Sequence, residues 1–458
     1  MQAPEPGHRP DGERPPGPKR SLRTLLIYAP GGDPLAFYTG LARTYGDLVY
    51  LRMGGEHFFL VSDPRHIRDV LVTHPRRFIK GRGLDRAKRL LGNGLLTSEG
   101  ATHLRQRRLI QPAFHRDRIA SYAPVMTEYA DRVSRSWTDG ADLDVAQDMM
   151  RLTLGIVGQT LFGTDVEAHA PEVGAAMSAV MESFWTLMLP FAHVIERLPL
   201  PKLRRTRVAR AELDAIIYRM IAERRRSPGD RGDLLSMLLE AQDEDSADRA
   251  HGGGMTDQQV RDEAMTIFLA GHETTANALT WTWYLLSQSP DVEARLHEEV
   301  DRVLGGRPPT VADIASLPLV ERILTESMRL YPPAWIVGRR TIEPYTIDGY
   351  VIPLRSLVVF SPYIVQRDAR HFADPDRFLP DRWTPELKAA LPPATYLPFG
   401  GGPRRCAGES FAWMELMLVL SSLAQRWRFR LVAGHPVVPQ ASITLRTKYG
   451  MRMTALAR

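Results

Sequence analysis

The chain has 458 residues, of which 44% are hydrophobic and 24% charged, with 59 Lys and Arg against 53 Asp and Glu, a formal net charge of +6 and a pI near 9.4. This is the balance of a globular protein able to bury a large core, and it excludes a disordered or low-complexity chain. A single cysteine, Cys406, excludes an internal disulfide, so nothing asks for an oxidising compartment. The basic residues are spread along the chain without a zinc-finger, homeodomain or RNA-binding signature. A docking face for an acidic protein is therefore the expected use of the charge, and nucleic acid is not an expected partner.

Residues 1–20, "MQAPEPGHRPDGERPPGPKR", are Pro-rich and polar without an apolar segment, which predicts a disordered tail and no secretory signal. The stretch "LLIYAP" is too short to span a bilayer. The expectation is a cytoplasmic monomer with no membrane span and one domain over residues 21–458. "LVYLRMGGEHFFLVSDP" predicts a hairpin about Gly54 and Gly55. Residues 101–240 have a helical pattern broken at Pro112, Gly140 and Pro190, and 242–254 form a charged, Gly-rich loop. Thr256 and Gln259 make a capping box that opens a helix of about thirty residues ending near Ser287, roughly 45 Å long. Such a helix crosses a whole domain, so its middle, "FLAGHETTANAL", is buried. Pro290 starts the next helix, "LPLVERILTESMRLYPP" is helical up to Pro332, and "YTIDGYVIPLRSLVVFSPY" reads as short strands. "HFADPDRFLPDRW" is a Pro-broken loop, a last helix covers about 408–427, and short strands close the chain. The fold class is mainly α with small β-sheets.

Cys406 lies in "LPFGGGPRRCAG". Zinc sites gather several Cys or His at short spacing, and no such cluster is present. A lone thiolate fits haem, whose four in-plane ligands are already supplied. Gly400, Gly401 and Gly402 allow backbone to approach a flat macrocycle, the following helix start stabilises an anionic sulfur, and Arg404 is placed to meet a carboxylate such as a haem propionate. The pattern Phe399-x-x-Gly402-x-Arg404-x-Cys406-x-Gly408 resembles the haem-ligand signature of the cytochrome P-450 family of haem-thiolate monooxygenases.

Other segments match the same family. Glu326-Ser-Met-Arg329 and Phe378-Leu-Pro380-Asp-Arg382-Trp383 resemble its Glu-x-x-Arg and Phe-x-Pro-x-Arg motifs, which makes Glu326, Arg329 and Arg382 a structural group rather than a catalytic one. "AGHETT", 270–275, resembles the oxygen-activation motif. There the small Ala270 and Gly271 let a flat ring lie against the helix, Thr274 bonds back to the Ala270 carbonyl and opens a polar notch, and Glu273 relays protons. His103 and Arg107, four apart, stand where the family has Trp-x-x-x-Arg and are read as propionate contacts. Arg339 is the further propionate cation, with Arg340 as its competitor.

The resemblance covers about Pro34 to Arg458 and implies the cytochrome P-450 fold, with a long central helix across haem b. It implies insertion of one oxygen atom from O2 into an unactivated C–H bond, with electrons from an external ferredoxin and its NAD(P)H-dependent reductase. Arg404 and Arg405 would contribute to a basic docking face. The apolar "SFWTLMLPFAHVIERLPLP", 183–201, falls at the family's lid, and Trp335, Ile336 and Val337 where it lines the substrate pocket. These features suggest an apolar small molecule of secondary metabolism, a terpenoid before a fatty acyl chain, steroid or macrolide. A haem sensor or electron carrier without turnover is the alternative of another class, and it would need neither Glu273 nor Thr274.

Overall fold

The computed structural model describes residues 13–19, 27, 32–53, 55–164, 176, 200–227, 229–240 and 254–458. Asp33 accepts from the Ala36 N–H and Pro34 opens helix α1, Pro34–Tyr45. The expected hairpin forms, with β1, Leu48–Met53, antiparallel to β2, Glu56–Val61. Residues 13–19, assigned from sequence to the disordered tail, run beside β1. Tyr50 N donates to Pro16 O at 2.9 Å and Arg14 Nη1 to Val351 O at 3.0 Å, so this stretch supplies partners to a strand edge that would otherwise be bare.

Helix α2, Pro64–Arg68, continues into a π turn, Asp69–Thr73, and then into the short strand β3, Phe78–Lys80. Helices α3, Arg82–Leu91, α4, Gly100–Ile110, and α5, Arg116–Ser136, follow. Strand β4, Asp142–Asp144, leads directly into α6, Val145–Phe162, which Asp144 caps through the amides of Ala146 and Gln147. The breaks expected at Pro112 and Gly140 are present, while Pro190, the lid segment 183–199 and most of the 242–254 loop lie outside the described residues. Helices α7, Pro201–Arg226, and α8, Leu234–Glu240, precede the long helix α9, Asp257–Ser287.

Helix α9 has 31 residues and begins with the Thr256–Gln259 capping box. It is buried over most of its length, so both its polar and apolar residues need partners inside the protein. Gly271 lets it approach α6 closely, since a Cβ there would lie 3.1 Å from Val157 Cγ2. Phe162 and Phe268 stack across the same contact at 4.1 Å. Helix α10, Pro290–Leu304, supplies Glu299, whose carboxylate accepts the Leu319 and Val320 amides at 3.0 Å and so caps α11, Pro318–Leu330.

The main sheet has the order β1-β2-β8-β5-β3, with β5, Val337–Thr341, and β8, Leu357–Phe360; the hairpin of β6, Tyr345–Ile347, and β7, Tyr350–Ile352, lies between them in sequence. Pairing of β3 with β5 sets Lys80 opposite Arg339. Short helices α12, Pro362–Val365, and α13, Pro385–Ala390, lead to the cysteine loop, and α14, Glu409–Ala424, packs against α5 beneath α9. Strand β12, Arg452–Ala457, then pairs with β4 on one side and with β9, Trp427–Leu431, on the other, and the hairpin β10, Pro439–Ala441, with β11, Leu445–Thr447, reaches back to α9.

The run from α11 to the cysteine loop is fastened by one carboxylate. Glu326, fully buried, accepts from Arg329 Nε and Nη2 at 2.8 Å, from Arg382 Nε and Trp383 Nε1 at 2.9 Å, and from the Leu379 amide at 3.0 Å. Arg329 also donates to the carbonyls of Gln366, Pro375 and Arg377. Gln366 in turn donates to Met328 O and Arg329 O and accepts the amide of Leu397, where the cysteine loop begins. The two arginines thus hold about thirty residues of irregular chain in one conformation. Arg382→Leu leaves Glu326 one cation short and is expected to lower the unfolding free energy by about 3–5 kcal/mol, read from urea midpoints.

Candidate active site

The cysteine loop is shaped by its glycines. Gly402 has φ +68°, and a Cβ on it would lie 1.9 Å from the carbonyl oxygen of Leu71 in the π turn. The glycine expected to make way for a macrocycle therefore makes way for Leu71, and no other residue fits. Cys406 N donates to Phe399 O at 3.0 Å, closing the loop, and the Phe399 ring leans on Trp413 at 6.0 Å. Gly408 caps α14, and its N–H is aimed at the sulfur. Burial pushes the Cys406 thiol up, the Gly408 amide opposes this, Glu409 adds to the rise, and Arg107 and Arg405 oppose it. Yet Cys406 keeps an exposed surface. A group walled in by protein but open to solvent lies on the wall of a cleft.

The opposite signature appears on α9. Amid buried neighbours, Ala270 is exposed and Gly271 and Thr274 are half-buried. Three consecutive carbonyls here take hydroxyl donors: Ala270 O from Thr274 at 2.7 Å, Gly271 O from Thr275 at 3.2 Å, and His272 O from Thr153 of α6 at 2.9 Å. The expected notch is there, in a helix loosened on two sides. Gly271 was expected to lie under a flat ring; its missing side chain instead accommodates Val157, which leaves Ala270 as the small residue facing the opening. Glu273 is buried and accepts the Thr444 hydroxyl, which also receives Asn277 Nδ2 at 3.2 Å. Among the described residues no hydrogen bond joins Glu273 to Thr274.

A third group is electrostatic. Arg404 donates to Glu99 Oε2 at 3.0 Å and to Phe78 O and Pro75 O at 2.9 and 3.1 Å. It therefore points inward, whereas Arg405 is exposed and pairs with Glu409. Strand alternation buries Arg339 and turns Arg340 outward to Glu56 at 3.1 Å, which separates the two candidates. Lys80 Nζ reaches Leu95 O and Ser98 O at 2.7 and 2.6 Å, and its backbone N–H donates to Glu99. Burial, with crowding by cations, lowers Lys80 to about 7, His103 to about 4 and Arg339 to about 10. Arg404 depresses all three, and Glu99 opposes it. Three cations and a neutralised imidazole around one carboxylate make a site short of negative charge, which suits a ligand with two carboxylates. Arg107 instead holds the loop carbonyl before Cys406, donating to Arg405 O at 2.7 Å.

Lys80, Glu99 and Thr444 were not anticipated from sequence. The only hint of Lys80 was its place among the cations of "RRFIKGRG", and its value came from pairing with Arg339, 259 positions away. Glu415 was also missed. It is fully buried, neither carboxyl oxygen has a hydrogen-bond partner, and burial pushes its pKa well up; the adjacent hydroxyl, Thr275, is turned to Gly271 O. One tentative pocket residue must be reassigned. Trp335 is wholly enclosed beside Tyr38 with its indole N–H on Ser442 O at 2.8 Å, so it lines no space that water enters, while Ile336 and Val337 remain half-buried.

His103 gives this site a pH signature. The unfolded chain holds the imidazole proton up to about 6.5 and the folded, unliganded chain only to about 4, so unfolding takes up a proton between these values. Stability of the unliganded protein is expected to fall as pH drops through that window, and His103→Gln to flatten the fall, in urea midpoints measured across it.

The comparisons agree with this geometry. A family model described as Cytochrome P450 matches residues 15–451. Cyclooctatin synthase of Streptomyces melanosporofaciens is 43% identical, over 91% of this chain and 93% of that protein. Cyclooctat-9-en-7-ol 5-monooxygenase of the same organism is 38% identical over 88% and 86%, and pentalenene oxygenase of Streptomyces avermitilis 38% over 93% and 93%. Among solved structures, retinoic acid bound cyanobacterial CYP120A1 matches with a TM-score of 0.87 at 25% identity, covering 97% of this chain and 99% of that one. The heme domain of cytochrome P450DA matches with a TM-score of 0.85 at 28% identity, covering 97% of each. A lone cysteine on a cleft wall, a cation cluster with a single carboxylate, and a helix with one open notch all fit haem b. The chain belongs to the cytochrome P450 family and is a haem-thiolate monooxygenase.

Proposed function

We propose that this enzyme oxidises an unactivated C–H bond of a terpenoid in secondary metabolism. The observation that carries the reading is the 38–43% identity to cyclooctatin synthase, cyclooctat-9-en-7-ol 5-monooxygenase and pentalenene oxygenase, over about nine-tenths of the chain. Fatty-acid, steroid and macrolide substrates are the readings it displaces.

Haem b, bound through the Cys406 thiolate, supplies activation of O2. The residues divide the remaining work. With haem bound, the Gly408 amide and the α14 N-terminus would favour the Cys406 thiolate against the burial that raises the thiol, and Arg107 fixes the carbonyl preceding it. Phe399 and its neighbours in the loop would pack against the cofactor. Lys80, His103, Arg339 and Arg404 would receive its two carboxylates, which would relieve the crowding of cations around Glu99. Ala270 would leave room for it, and Ile336 and Val337 would face the substrate. Thr274 keeps the Ala270 carbonyl occupied and presents its hydroxyl to the notch, where it holds a proton for the reaction. Glu273 resupplies that proton after it turns away from Thr444.

A monooxygenase of this family requires O2 and electrons from a redox partner. We assign the electrons to a ferredoxin, reduced by an NAD(P)H-dependent reductase, that docks beside the cysteine loop. There Arg405 and the exposed apolar side chains of Val72 and Leu104 offer a surface. Arg404, committed to the interior, is not part of it. No described helix is long and apolar enough to cross a membrane. The reading is of a monomer working in the cytoplasm.

Two experiments test this function. A panel of cyclic terpenes is expected to shift the haem from low to high spin, and the reduced, carbonyl-bound protein to show the red-shifted Soret band of thiolate ligation, lost in Cys406→Ser. Shifts with fatty acids or macrolides alone would move the substrate assignment. Thr274→Ala is expected to bind haem and substrate normally but to release most reducing equivalents as peroxide. Unchanged coupling in that variant would remove Thr274 from proton delivery.

A further inference from the structure

Seven residues before Ala270, α9 carries a carboxyl that the chemistry above does not use. Glu263 is fully buried; its Oε2 accepts the Leu95 N–H at 2.8 Å, while Oε1 has no hydrogen-bond partner. One turn further on, the buried hydroxyl of Thr266 also lacks one. At about 100° per residue, positions 263, 266, 270 and 274 fall within roughly 80° of one another, a single stripe of the helix. The stripe therefore runs from the open notch at Ala270 and Thr274 to a polar end at Glu263, about 10 Å along the axis at 1.5 Å per residue.

The segment after α3 covers that polar end. Three consecutive residues of α9 grip alternate residues of it: Arg261 donates to Leu91 O at 3.1 Å, Asp262 accepts the Asn93 amide at 2.7 Å, and Glu263 accepts that of Leu95. Gly94 presses on the helix so closely that a Cβ would lie 2.4 Å from Thr266 Oγ1. Leu95 and Leu96 keep partial exposure, so the cover is thin. The Asn93 and Leu95 backbone amides are satisfied by α9, yet the Glu263 Oε1 and Thr266 hydroxyl groups are left over. Burying an unsatisfied polar group is destabilising, and a pocket for a pure hydrocarbon has no use for either. Burial raises the Glu263 carboxyl to about 8, the Leu95 amide opposing, Asp262 adding and Lys80 opposing. At neutral pH it is protonated, both a donor and an acceptor.

We propose that Glu263 and Thr266 form a polar subsite that binds a hydroxyl group of the substrate, about 10 Å along the helix axis from Ala270. This rests on the terpenoid reading of the same cleft and narrows it to a cyclic terpenoid that already carries an alcohol. Such an alcohol comes from water capture that ends a cyclisation, or from an earlier hydroxylation, so a reaction of one of those classes must supply the substrate.

The test uses the haem-loaded enzyme and two matched pairs, α-cedrene with cedrol and ent-kaurene with ent-kauran-16-ol, titrated by spin shift. In at least one pair the alcohol is expected to bind about tenfold tighter than its hydrocarbon, the worth of one well-made hydrogen bond. Glu263→Met and Thr266→Val should each reduce that ratio while leaving the hydrocarbon Kd unchanged, and Glu263→Gln, which keeps a donor and an acceptor, should preserve it. Equal binding of alcohol and hydrocarbon by the wild type overturns the subsite, as do variants that weaken both alike, the result expected if Glu263 only supports Leu95. If Glu263→Met fails to hold haem, Thr266→Val, which removes one hydroxyl at constant shape, decides alone. No spin shift with any of the four compounds overturns the terpenoid reading, and the subsite with it.

Discussion

The place of the cysteine in space depends on a carboxylate that has no access to water. Glu326 lies at the centre of five hydrogen bonds from Arg329, Arg382, Trp383 and Leu379, and none of its neighbours tolerates its absence. A buried ion pair adds little net stability over a well-packed apolar alternative, but once it is present each partner becomes obligatory. That asymmetry suits a scaffold that must hold a long irregular segment in one conformation. Gln366 carries the constraint onward to Leu397, and from there three glycines and the Leu71 carbonyl fix the turn that presents Cys406.

The proposed cofactor site is electrostatically incomplete in the polypeptide alone. Lys80, Arg339 and Arg404 surround one carboxylate, and His103 gives up its charge among them. Two added carboxylates would turn mutual repulsion into paired hydrogen bonds, so binding and local stability are linked. The distal side follows the opposite rule. Around Thr274 the polar groups are few, each engaged with a helix carbonyl, and the space beside Ala270 is left open. One wall of the cleft attracts charge and the other excludes it, which holds an ionic rim and an apolar substrate in a single cavity.

Several elements were plain from local signals: the capping box and length of α9, the hairpin about Gly55, the Pro290 start of α10, and the cysteine loop with its following helix. Each depends on residues within a few positions of one another. The misreadings share a different cause. Gly271 and Gly402 were correctly marked as places of close approach, but what approaches is Val157 and Leu71, both distant in sequence. Trp335 looked like a pocket aromatic because it follows Pro333, and packing beside Tyr38 encloses it instead. The stretch 13–19 has the composition of a free tail, yet β1 has an edge to which it bonds.

The amino-acid order by itself determined the helical class and placed the proposed metal ligand, Cys406, and the proposed proton-delivering alcohol, Thr274, in their motifs. Those depend on caps, breakers and short motifs, which act over a turn or two of chain. Only the tertiary structure decided which cations share the cofactor site, that Arg339 rather than Arg340 faces inward, that Glu273 is held by Thr444, and that Glu263 is buried with an oxygen to spare. Strand register and helix packing bring together residues hundreds of positions apart, and charge acts through the resulting distances rather than along the sequence.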